Sequence, residues 1–219
     1  MKMRRDRSWA ITSVVALLGA MALLAGTPAA GAGCKFPATG QMTCWDSSGN
    51  GIDCAGTGQD GDIQAGKPLR YKDNGDGTIT DKVTGLMWEK KDDNNTDPLH
   101  DMDTTYTWDN AFAGHVAGLN TAHFAGHTDW RLPNMKELQS IVDWEMVTPA
   151  VDPVFDTDCA ASCTVLICSC TPASSGYWSS STDAGTPTFA FGVGFNFGSV
   201  LNPGKGSSLF VRAVRGGCL

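Results

Sequence analysis

Residues 73–81 read Asp-Asn-Gly-Asp-Gly-Thr-Ile-Thr-Asp, and they decide how the central part of the chain folds. Asn-Gly and Asp-Gly pairs favour tight turns because they tolerate the backbone conformations that such turns require. The short runs on either side, residues 70–73 and 78–81, are typical of strands. A second turn at residues 82–85 leads into a third strand at residues 86–89. The stretch therefore predicts three successive β-strands joined by tight turns.

Two helices are predicted after these strands. Thr107 is expected to cap the first helix, with the carboxylate of Asp109 in its first turn and one apolar face between residues 111 and 119. Asn134 is expected to cap the second, with Glu137 three residues later as in a capping box.

The pattern returns to β-structure at residues 177–181, 189–197 and 209–215. In the middle segment, four phenylalanines and a valine alternate with small residues, which predicts one bulky face and one nearly bare face. The order of strands, two helices and strands predicts an α+β fold, in which an antiparallel sheet carries the helices on one side.

The first 32 residues have the three-part layout of a secretory signal peptide. Four basic residues precede an apolar run at residues 10–25, and small residues follow up to Ala32, the expected cleavage site; Ala30 is the alternative. A membrane anchor is disfavoured because a spanning helix needs roughly 20 apolar residues, and no later segment is apolar enough to span a bilayer. A lipid anchor at Cys34 stays open. The layout predicts export to the periplasm, the outer surface or the medium.

Charge and composition narrow the classes of partner. The chain has a formal net charge of −7, and residues 1–32 hold four basic residues and one acidic residue, so the remainder has a charge of −10. An acidic chain is a poor candidate for binding nucleic acid.

Residues 33–69 are rich in Gly and Cys without apolar periodicity. This composition predicts an N-terminal segment held by disulfides, which packs against a main domain at residues 70–217.

The eight cysteines predict disulfides, because an even number in an exported chain usually forms them. Short loops close at low entropic cost. We therefore expect Cys44 to pair with Cys54, and Cys34 and Cys218 to be left near the two termini, where they could bridge. The remaining four are expected to pair among themselves: Cys159, Cys163, Cys168 and Cys170. A zinc site in this loop is the alternative, but its spacing is not typical of zinc ligands.

No catalytic pattern and no cofactor are predicted. Ser179, Ser180 and Ser181 lack the glycine setting of a nucleophile elbow, and the four histidines, at positions 100, 115, 123 and 127, lack evident orienting partners. The carboxylates of Asp73, Asp76 and Asp81 are weak candidates for calcium, because Asn-Gly and Asp-Gly are also simple turn formers. We expect a protein that is not an enzyme.

Six motifs occur in an order that resembles the Lcl C-terminal domain family, also known as domain of unknown function 1566. They lie at residues 73–81, 84–88, 128–134, 136–138, 177–180 and 211–217. The resemblance covers about residues 70–217. It implies a C-type lectin-like fold, similar also to sulfatase-modifying factors, in exported or surface proteins of bacteria, some of which are glycan-binding adhesins. Fold resemblance implies function only weakly.

The motif residues are interpreted as structural. Trp88, Trp130 and Trp178 could stack on sugars, but tryptophans more often fill cores. Three arginines are expected to pair with carboxylates such as Glu137 and Asp129: Arg131, Arg212 and Arg215. The family often has cysteines at the positions where this chain has His115 and Ala213. If the two family cysteines form one disulfide, a chain that lacks one of them is expected to lack the other as well.

The sequence thus predicts an exported, non-catalytic binding module for cell-surface adhesion. Its expected partner is a neutral glycan or a protein surface, reached through the polar loops 92–103 and 198–207, with weak affinity that multiple copies would reinforce. A structural envelope protein without a specific ligand is the alternative, and an enzyme related to sulfatase modification is a third possibility.

Overall fold

The computed structural model describes residues 36–217. The expected signal peptide, the possible lipid anchor at Cys34 and the cysteine at position 218 lie outside this part. The described residues form an α+β fold with three antiparallel sheets and short helices. None of these helices combines the length and the apolar character that crossing a membrane requires.

The largest sheet contains the three strands predicted around residues 73–81. Its strands are β3 (Tyr71–Asp73), β4 (Thr78–Asp81), β5 (Leu86–Glu89) and β9 (Val214–Gly216), in the order β3-β4-β5-β9. Gly77 in the first turn has a φ of +89° and lies against Phe124, so a side chain at this position would be strained and would collide. The pairing of β5 with β9 attaches the C-terminal residues of the domain to this sheet as its edge strand.

A second sheet is formed by β6 (Gly176–Thr182), β7 (Ala190–Gly194) and β8 (Ser199–Leu201). The prediction of one sheet is therefore wrong. The predicted bulky face of residues 189–197 holds only in part: Val193 and Phe195 are buried in the core, whereas Phe189 and Phe197 lie outside the strand and are 37% and 63% exposed. The small residues are buried as well, and Gly192 lies so close to the Tyr177 carbonyl that even a Cβ atom would clash.

The first predicted helix is a continuous helical segment with an irregular centre. It runs through α2 (Trp108–Asn110), a π-helix (Ala111–Val116) and α3 (Ala117–Thr121). Thr107 is its N-cap by position, but its side chain makes no capping hydrogen bond, so that part of the prediction is wrong. The segment buries residues four apart, Ala111, His115 and Leu119, and so places a histidine in the interior.

The second predicted helix is α4 (Met135–Gln139). Asn134 accepts a hydrogen bond from the Glu137 backbone, and the Glu137 carboxylate accepts one from the Asn134 backbone. This reciprocal pair is the predicted capping box.

The N-terminal segment contains a hairpin of β1 (Cys44–Trp45) and β2 (Gly51–Ile52), followed by α1 (Asp60–Ile63). The Glu145 carboxylate accepts hydrogen bonds from the backbone of Met42 and Thr43, and Trp144 donates its backbone N–H to the Thr39 carbonyl. These bonds attach the segment to the main domain beside residues 143–145.

The three motif tryptophans lie in three separate apolar clusters. Trp88 packs with Phe155 in the largest cluster, Trp178 belongs to a second cluster, and Trp130 packs with Leu119 in a third. All three side chains are almost completely buried. They fill the core, so they do not form a surface platform for sugars.

Candidate functional site

A carboxylate lies buried at the end of β5, surrounded by donors from four parts of the chain. The Oε2 atom of Glu89 lies 2.8 Å from Nε2 of His115 and accepts the backbone N–H of Ala213 at 2.9 Å. Its Oε1 atom lies 3.0 Å from Nδ1 of His100 and 3.5 Å from Nζ of Lys91. We call Glu89 and these four residues the Glu89 centre.

The protonation states of this centre follow from burial and charge. Burial alone raises the pKa of Glu89, but His115, Lys91 and His100 outweigh it and hold that pKa well below its usual value. Burial lowers the pKa of His115, against the opposing effect of Glu89. These effects leave Glu89 ionised at neutral pH. Nε2 of His115 then donates to the carboxylate, which leaves Nδ1 without a hydrogen-bond partner.

The side chains of the Glu89 centre are almost completely shielded from solvent. The side chains of Glu89, Lys91 and His115 are at most 3% exposed, and that of His100 is 8% exposed. The His115 ring and the Ala213 backbone meet at the same carboxylate oxygen. These are the two positions where the family resemblance implies cysteines, so Glu89 links the helical segment to the C-terminal residues without a covalent bond.

Arg212 departs from its expected role. It is fully buried, and it donates to the carbonyls of Glu89 and Cys170 and to the hydroxyl of Thr171 instead of pairing with a carboxylate. The backbone acceptors it reaches belong to β5 and to the cysteine loop, residues 159–170. Arg212 therefore joins that loop to the central sheet.

The other two arginines have the expected carboxylate partners. Arg131 binds both oxygens of Glu137 at 2.7 Å, and Arg215 binds Asp129 at 2.7 and 3.1 Å. The first pair raises the pKa of Arg131, and the second lowers that of Asp129.

The three aspartates considered for calcium each serve a turn. Asp73 forms an ion pair with the buried Lys90 at 2.7 Å, Asp76 accepts from Thr78, and Asp81 accepts from the backbone of Val83. The hydroxyl groups of Ser179 and Ser181 also have partners within the protein. Ser179 donates to the Phe191 carbonyl, and Ser181 accepts the backbone N–H of Met135. Their contacts fit the turn chemistry and the structural role that the sequence favours.

A cleft of about 230 Å³ lies where the N-terminal segment meets the main domain. Its polar side chains carry hydroxyl, amide and carboxylate groups: Thr39, Gln41, Gln64, Asp143 and Asp152. Burial, followed by the nearby charges of Asp152 and Glu145, raises the pKa of Asp143. Gly40 lies directly against the Asp143 carboxylate, which leaves no room there for a side chain. We call this site the interface cleft.

Large apolar side chains are exposed on the segment that follows Asp143 in the wall of the interface cleft, and on a segment next to it. Trp144, Met146, Val147 and Phe197 are 41%, 38%, 66% and 63% exposed. Their two segments are neighbours, since Thr148 donates to the Asn196 carbonyl and the Trp144 indole lies against Gly198. We call these four residues the apolar patch. The sequence pattern did not distinguish Trp144, Met146 and Val147, which lie in an irregular segment without periodicity, and it assigned Phe197 to the bulky face of a strand.

The two polar loops expected to bind a ligand offer less free surface than predicted. Asp92, His100 and Asp101 are buried within loop 92–103, which leaves residues 95–98 and Asp103 as its exposed part. Loop 198–207 contains β8, and Lys205 lies 3.8 Å from the centre of the Trp108 ring. The interface cleft is therefore the better candidate for a binding site.

The described cysteines form three local disulfides. Cys44 is bonded to Cys54, Cys159 to Cys170, and Cys163 to Cys168. This is the grouping that the short spacings favour, and within the second cluster the structure selects one pairing.

Fold and site together define a disulfide-bonded α+β domain with a buried charge centre and a polar cleft at its surface. Residues 77–215 match the Lcl C-terminal domain, and the chain belongs to that family. No curated protein matches the chain.

Proposed function

We propose that this protein is an exported, non-catalytic binding module that recognises a neutral glycan at the interface cleft and the apolar patch. The observation that carries the proposal is the partly exposed Trp144, whose backbone donates to the carbonyl of Thr39 in the wall of a cleft lined by hydroxyl, amide and carboxylate groups. Ligand sites typically combine apolar and aromatic surface with a few polar groups that fix orientation. A sugar presents an apolar face and a rim of hydroxyls, which such a surface can satisfy.

The size of the cleft sets the expected affinity. Pockets for drug-sized ligands measure about 300–1,000 Å³. A cleft of about 230 Å³ is smaller and suits one sugar unit. The remaining contact would come from the apolar patch. Binding at a single site is then weak, and several copies of the protein, as an oligomer or on a membrane through a lipid anchor, would supply avidity.

Charge favours a neutral ligand over an anionic one. Asp143 and Asp152 both line the cleft, and Glu145 lies beside it. Carboxylates accept hydrogen bonds from sugar hydroxyls, whereas they repel sulfate and phosphate groups. The net charge of −10 outside residues 1–32 acts in the same direction.

The remaining parts of the proposal rest on the family and the sequence. A C-type lectin-like arrangement of the sheets and export beyond the cytoplasm both fit the Lcl C-terminal domain, the N-terminal residues and the disulfides. No cofactor is required, because the cleft itself supplies the polar groups that bind.

The test is a glycan array on residues 33–219, followed by titration of the best glycan. Trp144→Ala and Phe197→Ala should each weaken binding by tenfold or more, while thermal stability stays close to that of the wild type. Trp45→Ala is the matched control, because this indole is also exposed but belongs to the hairpin and does not line the cleft. It should bind normally.

Two outcomes would contradict the proposal. Equal binding by Trp144→Ala and the wild type would place the glycan elsewhere. An array without any bound glycan would favour the alternative of a structural envelope protein. Heparin, titrated at two salt concentrations, is the polyanion control and should not bind.

A further inference from the structure

Five sulfur atoms are gathered in and beside the cysteine loop. The Sγ atoms of Cys163, Cys168 and Cys170 lie within 4.8 Å of one another, and those of Cys163 and Cys170, which are not bonded to each other, are 4.0 Å apart. Cys159 is bonded to Cys170 and lies 3.5 Å from the Met102 sulfur. Three of these cysteines are buried, whereas Cys159 is exposed.

The backbone of the loop is held by hydrogen bonds that do not depend on the disulfides. The Thr157 and Ser169 backbones exchange two bonds of 2.9 Å, and Cys170 donates its N–H to the Lys91 carbonyl at 2.8 Å. In the middle of the loop, Ser162 donates to the Asp93 carbonyl and Val165 to the Asp92 carboxylate. Reduction would therefore leave four thiols on a backbone that hydrogen bonds hold in place, with three of the sulfurs within 4.8 Å of one another and Cys159 next to Cys170.

We propose that the reduced loop is a binding site for one thiophilic metal ion, zinc(II) or copper(I). Its ligands would be the thiolates of Cys159, Cys163, Cys168 and Cys170, with the Met102 thioether as an additional soft donor. Thiolate and thioether sulfur select these ions. Zinc–sulfur bonds of about 2.3 Å in a tetrahedron place the sulfurs about 3.8 Å apart, which is close to the separation of Cys163 and Cys170.

The cysteines are synthesised as thiols, so the reduced loop precedes the disulfides; a dithiol reductant regenerates it by giving two electrons and two protons to each bridge. Metal binding then displaces thiol protons and transfers no electrons. The guanidinium of Arg212, which donates to the Cys170 carbonyl at 2.6 Å, offsets part of the thiolate charge. A bound ion and the two disulfides exclude each other.

The experiment uses residues 33–219, reduced with a dithiol that is then removed under anaerobic conditions. Cobalt(II) serves as the optical probe of the zinc site, and copper(I) is titrated against a chelator of known affinity. We expect one equivalent of either ion to bind, with a thiolate-to-cobalt absorption band that zinc abolishes. Circular dichroism before and after addition reports whether the reduced chain is folded.

Variants locate the site. Cys163→Ser and Cys170→Ser should each lower the affinity at least 100-fold, whereas the double variant Cys44→Ser/Cys54→Ser, which removes the hairpin bridge, should bind like the wild type. Met102→Leu should weaken copper(I) about 10–100-fold, as loss of a supporting group does, and leave zinc unchanged.

Three outcomes would overturn the proposal. The first is a folded, reduced wild type without the cobalt band, and the second is a band that disappears only in the Cys44/Cys54 variant. The third is a reduced chain that is unfolded and that neither metal restores, since the loop would then not be organised without its disulfides.

Discussion

Replacement of Glu89 by glutamine tests whether the Glu89 centre holds the fold together. The substitution keeps the shape of the side chain but replaces one acceptor oxygen with a donor NH₂ group. In the wild type, each carboxylate oxygen faces two nitrogen donors, so the new NH₂ group must face a donor. The charge of Lys91 also loses its buried counterion.

The expected loss of unfolding free energy follows from these lost interactions. Removing one partner of a buried ion pair costs about 3–5 kcal/mol. For a domain of this size, each kcal/mol lowers the Tm by about 2–4 °C, so Glu89→Gln should lower it by about 6–20 °C. Urea denaturation under oxidising conditions would give the change in unfolding free energy, with unchanged m-value as the sign of an intact two-state transition.

Asp103→Asn is the matched control, because this carboxylate is exposed. Its effect should stay within about 0.5 kcal/mol. A loss below about 1 kcal/mol for Glu89→Gln would refute the reasoning, since the neighbouring groups would then adapt to a neutral side chain without cost.

Three further predictions concern pH, the core and processing. The pKa of His115 lies below 6.5 in the folded chain, so as the pH falls the unfolded chain takes up this proton first. The unfolding free energy should therefore fall below about pH 6.5, by at most about 1.4 kcal/mol per pH unit. Glu89 adds a further loss of unfolding free energy below its unfolded pKa of about 4.5. Denaturant titrations at several pH values should show a flatter profile between pH 6.5 and 5 for His115→Gln, and an unchanged slope would argue against this assignment. Trp130→Ala should cost about 3–5 kcal/mol in urea denaturation, since the indole is buried and donates to the Phe124 carbonyl; wild-type stability with loss of binding would show it to be a ligand contact. N-terminal sequencing of the exported protein should find Gly33 or a lipidated Cys34, and an intact Met1 would contradict export.

Local sequence signals predicted the elements whose causes are local. Asn-Gly and Asp-Gly place the first hairpin because the turn conformation is set by the two residues themselves. Asn134 and Glu137 form their capping box for the same reason. The disulfide groups follow from short spacing alone.

The features that the sequence did not reveal depend on contacts between distant residues. Glu89 looks like the end of an apolar strand, and its partners lie up to 124 positions away in the chain. The sequence assigns Gly192 and Gly194 to a nearly bare face, and the structure buries them because neighbouring backbone and side chains approach them closely. The interface cleft could not be anticipated, because neither of its two walls has a pattern that predicts the other.

The Glu89 centre also determines when the interior can form. A cysteine pair at positions 115 and 213 would join the helical segment to the C-terminal residues only after an oxidant had acted. The carboxylate of Glu89 makes the same connection by hydrogen bonds, which form as soon as the residues meet. Assembly of the central sheet and the helical segment therefore does not wait for a disulfide catalyst, whereas closure of the three local loops does.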